Sequence, residues 1–388
     1  MFAERTSWNL VPNALTTALD RFRASGRPLI DLTVSNPTAC GFRYEGEAIL
    51  KALANPLSLE YAPEPRGLIT ARRAVGEYYA AHGAKVDAQD IILTTSTSEA
   101  YSFAFRAICD PCCEVLIPEP GYPLFEFLAE VQDVRLVRYP IFYDHGWHID
   151  FHALESAICD KTRAIVVVHP NNPTGHYTSS DEHAKLNALC VKHDLSIIAD
   201  EVFLDFALTP RAGRAATFAT NEDVLTFTMS GISKISGLPQ MKAAWLITSG
   251  PEDMKSQALE RLEVISDTFL SMNAPIQHAL PEFLAHRHGF QRQLIERVKA
   301  NLAELDRQLA AQKACTRLDV EAGWYAIVRV PATRTDEDTA LELLEKHGVS
   351  LHPGHFYDFP GDGYFVVSLI TPQADFSTGI RFLLGMFK

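Results

Sequence analysis

Lys234 lies in "SGISKISGLPQMKAAW" (230–245), 16 residues without an acidic side chain. An amine among small neighbours with no local carboxylate can shed its proton and act as a nucleophile or a base. Its ordinary reading is a solvated loop lysine. Lys242 follows eight positions later and brings a second positive charge. Asp200 closes the apolar run "LSIIAD", and Asn172 sits in "HPNNPTG" (169–175), a turn by composition alone. In "TTSTSEA" (94–100), Ser96, Thr97 and Ser98 stand where a strand-like run gives way to a helical one. That arrangement is either a plain helix cap or a cradle for an anion at the positive helix end.

These residues depend on alternating strands and helices to bring them together. "RAIVVV", the helical "SSDEHAKLNALCVKHD" and "LSIIAD" form a β-α-β pattern, the unit of parallel sheets. In "SSDE" a serine is placed to cap the helix, with acids in its first turn. "DIILTT", "SEAYSFAFRAIC" and "EVLIP" read as a similar unit over 90–119. Ligands of open parallel sheets bind at the carboxyl ends of the strands. Asp200 and the "HPNNPTG" turn share one crevice if their strands are neighbours. Further on, 290–312 has the spacing of a long amphipathic helix. Strand-like "GWYAIVRVP" and "GYFVVSLI" follow it and flank helical "DEDTALELLEKHG". The expected fold is α/β. A large, mostly parallel sheet domain flanked by helices spans 46–284, and 1–45 with 285–388 form a smaller α+β domain.

The composition sets limits. With 47% hydrophobic and 21% charged residues, the chain is an ordinary globular protein. A net charge of −13 argues against nucleic acid or an anionic membrane as partner. No apolar run is long enough for a membrane span. "MFAERTSWNL" lacks the order of a signal peptide, so a cytoplasmic location is expected. Seven cysteines in a long chain suit free thiols. "CDPCCE" lacks a second ligand pair, so no metal site is expected.

Taken in order, "TTSTSEA", "HPNNPTG", "ADEVF" and "SGISK" resemble the fold-type I pyridoxal-phosphate enzymes, most closely the class I/II aminotransferases. The resemblance runs from "LTVSNP" (32–37) to the final helix. It implies pyridoxal 5'-phosphate as cofactor, with Lys234 as the lysine that joins its aldehyde and Asp200 as the partner of the ring nitrogen. Asn172 would hydrogen-bond the ring oxygen. Ser96, Thr97, Ser98, Ser233 and Lys242 would hold the phosphate, and Tyr122 in "EPGYP" would stack on the ring, although an aromatic there also suits plain packing. Tyr61 in "EYAPEPRG" matches a tyrosine that reaches the neighbouring subunit's phosphate, which implies a homodimer with shared sites.

The pattern is broken at several positions. Phe203 stands where the family has a tyrosine whose phenol meets the ring oxygen. Lys242 replaces an arginine, keeping the charge and losing the two-pronged grip. Gly231 replaces a phosphate-binding serine. Val366 occupies the place of the arginine that clamps the substrate α-carboxylate, and Ser35 replaces a small glycine. Either another cation serves or the substrate lacks an ordinary free carboxylate. Arg43, Arg66 and His355 are the candidates, His355 because "HPGHFYDFP" reads as a loop near the mouth of the site.

The function these features imply is transamination between a small-molecule amino donor, an amino acid or related amine, and a keto or aldehyde acceptor. Elimination, decarboxylation, racemisation or carbon–carbon bond formation would use the same cofactor, and a non-catalytic cofactor-binding protein is the remaining alternative.

Overall fold

The computed structural model describes residues 2–123, 125–209, 212–270 and 272–387. Strand β1 (Ile30–Asp31) precedes the strands of a large sheet. These are β2 (Ile91–Thr94), β3 (Glu114–Glu119), β4 (Arg135–Tyr143), β5 (Trp147–Ile149), β6 (Thr162–Val168), β7 (Ser196–Asp200), β8 (Thr226–Gly231) and β9 (Ala244–Ser249). Their order is β2-β9-β8-β7-β6-β3-β4-β5. The run from β8 through β7, β6 and β3 to β4 is parallel, while β9 is antiparallel to both its neighbours.

The central strands are apolar on both faces because both faces are covered. Ile165, Val167, Ile197 and Ala199 join a core with the helix Ser180–His193 and the C-terminal segment. Ala164, Val166, Val168 and Ile198, one residue out of step, pack beneath the helices Thr97–Ile108 and Glu252–Thr268. A one-residue slip would exchange the two faces, so the register is well specified.

The expected β-α-β unit at 163–200 forms. Its strands β6 and β7 are parallel neighbours, and Ser179 caps the intervening helix in a reciprocal box with Glu182. The unit expected at 90–119 differs. Its strands and helix form, but β2 lies at the sheet edge against β9, and β3 lies between β6 and β4. Sequence periodicity marks elements without specifying which strand each one joins.

A second sheet of four strands has the order β10-β11-β14-β13, from β10 (Thr316–Arg317), β11 (Tyr325–Arg329), β13 (His352–Pro353) and β14 (Tyr364–Ser368). Between these in sequence, β12 (Val349–Ser350) pairs in parallel with β1. The early chain is further tied to β14 by Ser368 N–H donating to Leu32 O (2.7 Å) and Ser368 Oγ donating to Val34 O (2.6 Å). Among the described residues, no helix is long and apolar enough to cross a membrane.

Candidate active site

The carboxyl ends of β6, β7 and β8 lie on one edge of the sheet, and that edge borders a cavity of about 350 Å³. β2 ends on the same edge, since Thr94 and Gly231 both face Ala244 at the start of β9. Each strand end delivers one piece of the site. β2 leads into Ser96, Thr97 and Ser98; β6 into Asn172; β7 ends in Asp200; β8 leads into Ser233 and Lys234. The two crevice residues expected to meet do so: His169 N–H donates to Asp200 O across 2.8 Å, fixing the "HPNNPTG" turn beside the aspartate.

Lys234 projects from the short helix Ile232–Ile235. Its Nζ lies 4.8 Å from the centre of the Trp324 ring and 5.6 Å from that of Phe203. Burial pushes its ammonium down to about 8, and the Asp200 carboxylate opposes that only in part. The amine is therefore unprotonated in an appreciable fraction at neutral to mildly alkaline pH. Asp200 is itself raised to about 6 by burial, against the pull of two donors. Val202 N–H donates to Oδ1 (3.1 Å) and the Tyr101 hydroxyl donates to Oδ2 (3.2 Å).

Asn172 is buried, and its Oδ1 has no hydrogen-bond partner among the described residues. A buried, unsatisfied amide oxygen is costly unless a ligand meets it. Ser96 caps the helix Thr97–Ile108, its hydroxyl accepting from Glu99 N–H, so the first turn of a 12-residue helix opens on the cavity with its positive end. The group these residues fit is an anion at 96–98 joined to an acceptor or donor ring that reaches Asn172, Asp200 and Lys234.

Most residues expected at the site line this cavity: Ser35, Ser96, Thr97, Ser98, Tyr122, Asn172, Asp200, Phe203, Ser233 and Lys234. Lys242 does not. Its side chain is exposed, and its backbone turns through a left-handed conformation (φ 53°) just before β9. Tyr61 is 82% exposed and lies beside a separate depression near Met272. His355, expected near the mouth of the site, sits in the turn Gly354–Tyr357, exposed, against Phe356, and is not among the residues lining the cavity. His352, three residues earlier and in extended β13, lines the cavity instead.

The two arginine candidates also lie elsewhere. Arg66 is paired with Glu263, and Arg43 is exposed next to Gln293. Val366, within β14, is buried in the core. At Gly231 the structure gives a steric reason for the departure, since an added Cβ would lie 2.9 Å from both Ala243 O and Ala244 Cβ.

Several lining or supporting residues carried no signal that we read in the sequence. Tyr101 lies one helical turn past Ser98, a spacing that could have flagged it. Trp324, Tyr325 and Tyr357 come from segments legible only as strand or turn.

Comparison with known proteins agrees with this geometry. The family model described as aminotransferase class I and II matches residues 28–374. An alanine aminotransferase of Mycobacterium tuberculosis is 31% identical over 385 residues, covering 95% of this chain and 87% of that one. The glutamate-pyruvate aminotransferase AlaA of Escherichia coli is 29% identical over 272 residues, 70% of this chain, and the match spans 66% of that relative's length. Among solved structures, an alanine aminotransferase from Pyrococcus furiosus superposes with a TM-score of 0.90 at 20% identity, covering 100% of this chain and 99% of that one. That likeness bears out the expected fold.

Proposed function

The chain belongs to the class I and II aminotransferase family, and from that premise we propose that it is a pyridoxal-phosphate-dependent transaminase. It would pass an amino group from an amino acid or related amine to a keto or aldehyde acceptor. The observation that carries the reading is the meeting of a lysine amine lowered to about 8 with Asp200 and the unpaired Asn172 Oδ1 in one cavity. The relatives' names, alanine and glutamate-pyruvate aminotransferase, support the reaction type.

The residues present fit the cofactor. Lys234 would hold it covalently through Nζ, and the Asn172 side-chain amide would accept from a ring hydroxyl at Oδ1 or donate to the ring oxygen from Nδ2. Ser96, Thr97, Ser98 and Ser233 would take the phosphate, and Tyr122 would cover the ring. Bound there, pyridoxal phosphate supplies an electron-withdrawing ring that stabilises negative charge at the substrate α-carbon. Asp200, mainly ionised at neutral pH, offers the negative partner for a protonated ring nitrogen. Lys234 Nζ, when not bonded to the cofactor, would be the base positioned to take the substrate α-proton and return it. Phe203 gives an aromatic wall and no phenol beside that amine.

A homodimer is part of the proposal. Tyr61, exposed on this chain, would then complete the partner's site. The division into 46–284 and the joined terminal segments is supported by the β1–β12 pairing. The free thiols agree with a cytoplasmic location.

The test is optical. Loaded protein is expected to absorb visible light, and borohydride reduction followed by peptide mapping is expected to mark Lys234. Lys234→Ala should remove both and lower turnover by roughly 10²–10⁴-fold or more. A label on Lys242, or full turnover without Lys234, would refute the assignment. A transaminase loses its colour stoichiometrically with an amine donor alone; a lyase keeps it.

A further inference from the structure

Within the four-stranded sheet, His352 pairs directly with Val366, the position at which the sequence lacks a carboxylate-clamping arginine. Val366 itself faces the core, while His352 and Tyr357 both line the cavity that holds Lys234. The His352 Nδ1 and Tyr357 hydroxyl are 3.2 Å apart, so the two side chains form one polar unit in the wall. Among the described residues lining the cavity there is no arginine, and Lys234 and His352 are its nitrogen bases.

The protons of this unit can be counted. A neutral imidazole carries one N–H and the phenol one O–H, and one of the two is used in the bond between them. In either tautomer one donor and one ring-nitrogen or phenol acceptor remain. Burial holds the His352 imidazolium below its ordinary value against a weaker upward pull from Asp31, so the neutral ring is favoured. Burial, with Tyr325 and Tyr122 close by, holds the Tyr357 phenol well above its own, so it too stays neutral. A free carboxylate is acceptor-only and charged, and this wall would satisfy only part of it with no counter-ion. A hydroxyl or carboxamide both donates and accepts, as the pair does.

We propose that the His352–Tyr357 pair is the substrate-recognition subsite, and that the preferred amino donor carries an uncharged hydroxyl or carboxamide beside its amine instead of a free carboxylate. This rests on the transaminase reading and narrows its substrate. Thr33 and Ser35 line the same cavity and extend its neutral, hydrogen-bonding character. The aromatic rings of Tyr325 and Phe203 add apolar surface rather than charge.

The experiment compares L-alanine, L-alaninol and L-alaninamide as sole donors to the loaded protein, read by loss of visible absorbance. The expected result is a kcat/KM for alaninol or alaninamide about tenfold or more above that for alanine. His352→Ala and Tyr357→Phe should erase the preference, and His352→Asn, which keeps a donor and an acceptor, should retain part of it. Equilibrium binding to protein carrying Lys234→Ala, which cannot turn over, should rank the three compounds in the same order. Preference for alanine in the parent protein, or a preference unchanged in both His352→Ala and Tyr357→Phe, overturns the proposal. So does failure of all three donors to discharge the colour. The colour itself, and its loss in Lys234→Ala, test the cofactor reading separately.

Discussion

The Tyr101 hydroxyl donates to the Asp200 carboxylate across 3.2 Å, from a helix that Ser96 caps and that opens with Thr97 and Ser98. One helix thus joins the hydroxyl-lined end of the cavity to the carboxylate at its floor. The bond favours the charged form of Asp200, whose carboxyl burial has already raised to about 6. Tyr101→Phe removes that support and raises the carboxyl further. The acid limb of the donor half-reaction is therefore expected to move to higher pH, by up to about one unit. An unchanged pH profile would show that the hydroxyl has no hold on the carboxylate.

Asp200 also sets a conflict between function and stability. Its carboxyl is raised from 3.8 in the unfolded chain to about 6 in the fold, so the folded state binds the proton more readily. The resulting contribution to stability is fully present below about pH 4 and is lost as pH rises through 6. Asp200→Asn is expected to stabilise the cofactor-free protein above pH 6 by about 1–3 kcal/mol, with the gain shrinking towards pH 4, while abolishing transamination. Thermal unfolding across that range measures it.

At Gly231 the backbone is extended, and conformational strain is not the issue; room is. A side chain would press on Ala243 O and Ala244 Cβ at 2.9 Å. Gly231→Ser, though it restores the family's hydroxyl, is expected to cost roughly 1–3 kcal/mol in denaturant unfolding. Unchanged stability together with tighter cofactor binding would mean that β8 and β9 can part to admit it.

If Tyr61 completes the partner's site, two inactive proteins should rescue one another. Tyr61→Ala and Lys234→Ala homodimers, mixed and allowed to exchange subunits, form hybrids in which one site holds both intact residues. Activity is expected to appear on mixing, with about one intact site per hybrid dimer. Sedimentation gives the oligomeric state, and a monomer would end the argument.

The sequence made much of this legible because strand-end residues announce themselves. Asp200, Asn172, Lys234 and the hydroxyls of 96–98 each follow an apolar run, and the ends of parallel strands share an edge. Two kinds of feature stayed hidden. Strand order is set by long-range pairing, so the edge position of β2 was not visible in the periodicity that marked it as a strand. Side-chain direction within a short turn was the other. Of two histidines three residues apart, extended His352 faces inward and turn-borne His355 faces water. Lys242, a left-handed backbone residue just before β9, is also exposed and outside the cavity lining.

The early chain is fastened on two sides, by the Ile30 and Leu32 amides donating to Gly348 O and Ser350 O at β12 and its approach, and by β14 through Ser368. Thr33 and Ser35 therefore cannot peel away from the cavity alone. Any widening that admits a bulkier donor must carry them as one piece with the histidine-bearing strand, because β13 is itself paired to β14. On the proposed reading, the fit of a substrate would be gauged by one hydrogen-bonded jaw made from opposite ends of the polypeptide. A substitution that loosens Ser368 would blur that gauge without touching the amine at its far side.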